Sequence, residues 1–206
     1  MTPDELIARA RSPIGLKTLY WLGQGGTDPD SPVPGSWTTI RQMINELTVT
    51  APKQVPLLKS IAIDAGYPSS RWDEPVRACD CSGFSNWVVG VVRGGIGLAY
   101  IWTQTMYDYS LQRVEEIFER IDEARVGSLV VYPPGRRGEE HGHVGIVTEA
   151  AAGAATRVVH CSSTNFRYYG NHDAIEETGP EVFEYHAPLR YLWPRVLGSA
   201  QPGGDA

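Results

Sequence analysis

Cysteine is scarce in this chain: three in 206 residues, at Cys79, Cys81 and Cys161. So small and odd a number implies no disulfide framework. Basic charge is also short, with 18 Lys and Arg against 24 Asp and Glu and a net charge of −6. The cations are scattered, whereas a nucleic-acid binder concentrates them on one face, so no nucleic-acid partner is expected. No apolar run approaches the ~20 residues that cross a bilayer, and no membrane insertion is expected. Met1-Thr2-Pro3-Asp4-Glu5-Leu6 lacks the basic stretch and apolar core of a secretory signal. The expectation is a product made in the cytoplasm, with delivery to the periplasm or another cell by a route without a cleaved signal left open. Internal repeats and long low-complexity tracts are missing too. What is present is 42% apolar content, enough over this length for one well-buried core.

The first half of the chain reads as helical. Pro3 to Ala10 is a short helix, and Gly23 to Ser36 is a loop rich in Gly, Pro and Asp. Ser36 is positioned to cap a helix carrying Trp37, Ile40, Ile44 and Leu47, and Val55 to Ala65 reads as another. Ser110 would cap a helix with Leu111, Val114, Ile117, Phe118 and Ile121 turned inward. The period then changes. Ser128–Tyr132, Val144–Thr148, Arg157–Cys161, Val182–Tyr185 and Leu189–Trp193 are short β-branched or aromatic runs separated by turn residues. Helices first and strands later predicts an α+β domain with a largely antiparallel sheet. The expected organisation is one catalytic domain over 1–197, with 31–78 a helical insertion and 198–206 a flexible tail.

The sharpest local signal is Asp80-Cys81-Ser82-Gly83-Phe84. Phe84, Trp87, Val88, Val91 and Val92 follow the i, i+3, i+4, i+7, i+8 spacing of a helix with one buried face, and Gly94-Gly95 read as its stop. Cys81 thus sits at a helix N-terminus, where unpaired N–H groups and the dipole favour a thiolate. A cysteine nucleophile needs a base, and the base needs a group to fix its ring. His143 opens one strand run, just after the loop Pro133 to Gly142, and His160 closes the next. Residues two apart on a strand share a face, so Gly145 leaves room beside His143. Hairpin pairing across Glu149 to Thr156 would bring His160 near His143. Cys161 should face away from them, into the core. His141 is expected in the loop, and His172 and His186 read as surface or packing residues.

These segments, with Gly127-Ser128-Leu129-Val130-Val131-Tyr132 and Val159-His160-Cys161-Ser162, occur in the order found in NlpC/P60 cysteine peptidases, which the chain resembles. The resemblance implies a papain-like fold: a catalytic Cys at a helix N-terminus packed on the sheet, here with extra N-terminal helices. It implies Cys81 as nucleophile, His143 as base and His160 as its orienter. Asp80 and Ser82 match positions around the substrate's free amine. Tyr20, in Tyr20-Trp21-Leu22-Gly23-Gln24-Gly25-Gly26, resembles the aromatic of the family's upstream Tyr-x-x-Gly-Gly segment. Ser128 departs from the Asp usual in the family. The implied activity is hydrolysis of an amide bond in peptidoglycan stem peptides through a thioester acyl-enzyme, with a muropeptide as substrate and no cofactor or metal. If the protein is a delivered toxin, a neutralising immunity protein is a further partner.

Two other readings stay open. The same thiol chemistry serves an acyltransferase. Cys79, Cys81, His143, His160 and Cys161 also offer enough ligands for a zinc module, although Cys-x-Cys is not the usual Cys-x2–4-Cys spacing.

Overall fold

Thr2 starts the first helix, α1 (Pro3–Arg11): its hydroxyl accepts the Glu5 N–H, and the Glu5 carboxylate accepts the Thr2 N–H. That reciprocal pairing satisfies two donors that the helix itself leaves orphaned. In the computed structural model, residues 1–94, 98–135, 137, 141–169 and 172–199 are described. After β1 (Leu19–Tyr20), Ser36 opens a strand, β2 (Ser36–Thr39), not a helix as expected. Thr38 and Thr39 are β-branched and suit a strand. The capping box is made three residues later, by Thr39 with Gln42, at the head of α2 (Ile40–Thr50). Trp37 therefore lies on an exposed strand face, with Arg77 over its ring at 4.6 Å. α3 (Val55–Asp64) falls where expected.

β3 (Pro75–Cys79) runs straight into α4 (Cys81–Val88). Pairing of β3 with β1 in parallel and β2 antiparallel makes a small three-stranded sheet. The stretch 31–78 is thus not purely helical: it contributes β2 and nearly all of β3 to that sheet. α4 is shorter and deeper than its apolar stripe predicted. All eight of its residues are buried, and Gly90, at φ +76°, follows its end, so Val91 and Val92 lie outside it. Gly95, half of the expected stop, lies outside the described residues. Fully burying a side chain such as Phe84 stabilises the fold by about 1.5–3 kcal/mol.

The helix expected from Ser110 through Ile121 divides. α5 (Thr103–Asp108) precedes it, α6 (Gln112–Ile117) is one short piece, and β4 (Phe118–Ile121) is extended. Then come β5 (Leu129–Tyr132), β6 (His143–Ala151), β7 (Ala154–Cys161), α7 (Thr164–Tyr169), β8 (Ile175–Thr178), α8 (Glu181–Glu184) and β9 (Arg190–Pro194). The run Val182–Tyr185, expected as a strand, belongs mostly to the single turn α8 and turns Phe183 inward. Six strands form an antiparallel sheet in the order β4-β9-β5-β6-β7-β8, so the expected α+β class with an antiparallel main sheet is what the chain adopts.

The two faces of that sheet differ. Val131, Val144, Ile146, Val159 and Cys161 join α4 in the main core. Val130, Tyr132, Val147, Val158 and Phe183 form a second, smaller cluster. Of the expected tail, residues 200–206 lie outside the described residues, as do 136 and 138–140 of the loop before β6.

Candidate active site

Asp80 is the N-cap of α4, and its two oxygens are fully engaged. Oδ1 accepts from the Gly83 N–H at 2.7 Å and the Ser82 hydroxyl at 3.0 Å. Oδ2 accepts from the Gly23 N–H at 2.7 Å and pairs with the Arg93 guanidinium at 2.6 Å, with both side chains buried. The family resemblance implied Asp80 beside a substrate amine; here its charge is already met by Arg93, a partner that no motif pointed to. Arg93 is held above its ordinary pKa: burial alone would lower it, but the Asp80 carboxylate, with Tyr100 and Cys81, together more than offset this. Arg93 also donates to the Gln24 carbonyl, which ties the upstream Gly-rich segment to the helix start. Gly83 is required there, because a Cβ would stand 2.4 Å from the Gln24 oxygen.

This cap fixes Cys81, which is 4% exposed. Its sulfur meets the backbone N–H groups of Ser82 and of Val144, the residue after His143. Burial, then the Asp80 carboxylate, push the thiol up to about 12, against the lowering effect of Arg93 and those two N–H groups. A helix N-terminus was expected to favour a thiolate; in this buried setting desolvation is the larger effect and the thiol is neutral.

His143 and His160 do come together, with His143 Nε2 2.7 Å from His160 Nδ1. The register accounts for it: His160 pairs with Gly145, one step along the same face from His143. A Cβ on Gly145 would lie 3.0 Å from His160 Cβ and 3.0 Å from the Phe183 ring, so glycine lets these groups close up.

The hydrogen bonds set the tautomers. Thr178 donates its hydroxyl proton to the Gly179 carbonyl. It therefore accepts from His160 Nε2 at 3.0 Å. The His160 Nδ1 lone pair then accepts from His143 Nε2–H. Neutral His143 is left with its lone pair on Nδ1, the arrangement a general base needs. Burial, followed by the neighbouring His160 and His186, holds His143 well below the usual histidine range. Burial brings His160 down to about 4.

Neither Phe183 nor His186 was given a role at the site by sequence reading. Phe183 stacks on His143 with centroids 5.2 Å apart and meets His160 edge-on at 5.6 Å. His186, expected as a surface or packing residue, is buried and stacks on Tyr132 at 4.3 Å. The signal that could have found them is weak: an aromatic-rich run, Val182 to His186, shortly after His160 and β8.

Two adjoining cavities open at the site. One, of about 350 Å³, is lined by His143, His186, Tyr132, Tyr20 and Leu57 among others. The other, about 60 Å³, is lined by Cys81, Asp80, Ser82, Arg93 and Trp102. Leu22, His141 and Gly142 border both. Tyr20 is half-buried at the wall of the larger, and burial, then Cys81, raise its phenol well above its usual value. Exposed His141 lies in the loop as expected. Cys79 and Cys161 are buried in the main core, where the Cys161 thiol reaches the Cys79 carbonyl at 3.5 Å. The five residues of the zinc reading do not converge: no three His, Cys, Asp or Glu among the described residues form a group able to hold a metal.

Residues 71–165 match the CHAP domain family. No curated protein matches the chain. The matched stretch contains Asp80, Cys81, Ser82, His143 and His160, and the α+β fold with its antiparallel sheet is compatible with a papain-like architecture. Over residues 71–165 the chain is therefore similar to CHAP, a cysteine amidase or peptidase domain of the papain-like superfamily, rather than to NlpC/P60 itself.

Proposed function

We propose that the protein is a cysteine-dependent amide hydrolase that cuts a bond in the peptide part of peptidoglycan. One observation carries the reading: a capped helix start delivers Cys81 to the end of β6, where His143 stands oriented by His160 and Thr178. The CHAP match supports the same reaction class and a wall substrate.

In this reading thiol and imidazole are both neutral at rest, so there is no preformed ion pair. His143 Nδ1 takes the Cys81 proton as sulfur attacks the amide carbonyl. The Ser82 N–H, at the start of α4, stabilises the oxyanion. The C–N bond breaks as His143 returns its proton to the leaving nitrogen, which departs as the amine. Water, deprotonated by His143, then cleaves the thioester and restores the thiol. Arg93 offsets part of the destabilisation that the Asp80 carboxylate imposes on the anionic stages at sulfur.

The test is mass spectrometry of peptidoglycan fragments incubated with wild type and with Cys81→Ala. New fragments from wild type alone are expected, and their masses name the bond. Equal fragmentation by both proteins would overturn the reading. Transfer of the acyl group to an added amine or alcohol, in place of water, would favour the acyltransferase alternative.

A further inference from the structure

The two cavities differ in size and chemistry, and the proposed mechanism says which part of the substrate each must take. His143 hands its proton to the leaving nitrogen, so the leaving component lies in the cavity that His143 lines. The acyl part then sits with Cys81 in the smaller one. Among the described residues, no Asp, Glu, Lys or Arg lines the larger cavity. Its apolar wall comes from Trp21, from Val182 and from α3, through Leu57, 51% exposed, and buried Ile61.

One polar group lining that cavity stands out. His186 is 7% exposed, and its Nδ1–H donates to the Val182 carbonyl at 2.8 Å. That bond leaves the lone pair on Nε2, which is buried and has no hydrogen-bond partner among the described residues. An unsatisfied buried polar atom costs about 1–3 kcal/mol, a cost that a donor brought by a ligand would remove.

Resting on the hydrolase reading above, we infer that α3 and His186 form the leaving-group subsite, which selects an uncharged amino component with an aliphatic side chain and an N–H donor for His186 Nε2. A component carrying a free carboxylate or side-chain ammonium would enter a cavity whose described lining offers hydroxyls and imidazoles but no opposite charge to offset its lost hydration. The segment 31–78 is then a specificity element, because α3 supplies the wall that an aliphatic chain would touch.

The experiment titrates wild-type protein with leucinamide, aspartic acid α-amide and lysinamide at about pH 8.5, above the ordinary α-amine pKa. Binding is followed by NMR at the His186 ring and the Leu57 methyl groups. Leucinamide is expected to shift both, and the two charged probes to bind about tenfold more weakly or worse. Leu57→Asp, at a half-exposed position where folding is safe, should erase the preference for leucinamide over lysinamide. His186→Phe keeps the ring stacked on Tyr132 but removes the acceptor, and should weaken leucinamide about fivefold, the worth of one net hydrogen bond. The inference is overturned if charged probes bind as well as leucinamide, or if Leu57→Asp leaves the ranking unchanged. Shifts confined to Trp102 and Thr103, in the smaller cavity, would overturn it as well. Wall hydrolysis without this selectivity sinks the subsite alone, whereas selective binding without hydrolysis sinks the hydrolase reading and, with it, the leaving-group assignment, leaving only a pocket selective for neutral aliphatic amines.

Discussion

Asp80 and Phe183 hold the two halves of the site by different physics. Around Cys81 the restraints are charge and backbone: a buried carboxylate tied to Arg93, to two main-chain N–H groups and to the Ser82 hydroxyl. Around His143 and His160 they are aromatic packing and one file of neutral hydrogen bonds ending on the Gly179 carbonyl. A nucleophile must become anionic, so a guanidinium within the same network suits its side. A base must stay neutral until it works, so an apolar cage suits the other.

Breaking the first half should have the largest effect. Asp80→Ala leaves buried Arg93 without a counter-charge, at about 3–5 kcal/mol, and removes a helix cap worth about 1 kcal/mol. A domain with total stability of about 5–15 kcal/mol should lose a large part of it. Urea denaturation measures this, and a loss below about 1 kcal/mol would show that the pair does not anchor α4. On the aromatic side, Phe183→Ala should cost about 3–5 kcal/mol through the void it leaves. It should also lower kcat more than Phe183→Leu does, because both rings lose their common wall. Equal kcat for the two variants would mean that Phe183 only fills space.

The same contrast explains what could be read before the fold was known. The Cys81 helix start was legible because its signals are contiguous, small polar residues and the nucleophile standing directly before the apolar stripe. The bond of Asp80 to the Gly23 N–H and the close contact at Gly83 were not, because both are set by the approach of the distant Gly23–Gln24 segment. The His143–His160 pair was legible because strand alternation and a short hairpin fix which residues share a face. Arg93 was not, since a pairing thirteen positions from Asp80 across a loop has no periodicity to betray it. Phe183 was placed on a strand because Val182, Phe183 and Tyr185 favour one, and a single helical turn is too short to show its own period. Trp37 failed for a related reason: the helix start is set by Thr39 and Gln42, and Ser36 offered an equally good cap by composition.

Acid pH sharpens the comparison, because it acts on the histidine half. The His160 imidazole takes a proton near 6.5 in an unfolded chain and near 4 in the folded protein. Between those values the unfolded state binds more protons, so the folded state loses ground as pH falls. The contribution is intact above about pH 6.5 and declines by (6.5 − 4) × 1.36, or about 3 kcal/mol, on reaching pH 4. His143, lowered for the same cause, adds in the same direction. Denaturation midpoints across this range should fall steeply in wild type and much less in His160→Gln. The acid limb of kcat should lie below the pKa of a free histidine, since the base stays neutral there.

The smallest change separates orientation from packing. Thr178→Val keeps the shape but removes the acceptor of His160 Nε2–H. His160 can then keep its tautomer with a buried donor unpaired, at about 1–3 kcal/mol, or shift its proton to Nδ1. The shifted form donates to His143 Nε2 and forces the His143 proton onto Nδ1, which removes the lone pair that attacks the thiol proton. Either way fewer molecules hold a competent base. Since one net hydrogen bond is worth about 1 kcal/mol, kcat should fall about fivefold with KM unchanged. Thr178→Ser, which retains the hydroxyl, should restore it, and nitrogen NMR of the two rings should show the tautomer shift in the valine variant alone. If valine and serine behave alike, the cage of Phe183 and Tyr132 orients His143 by itself and the file of hydrogen bonds is only structural.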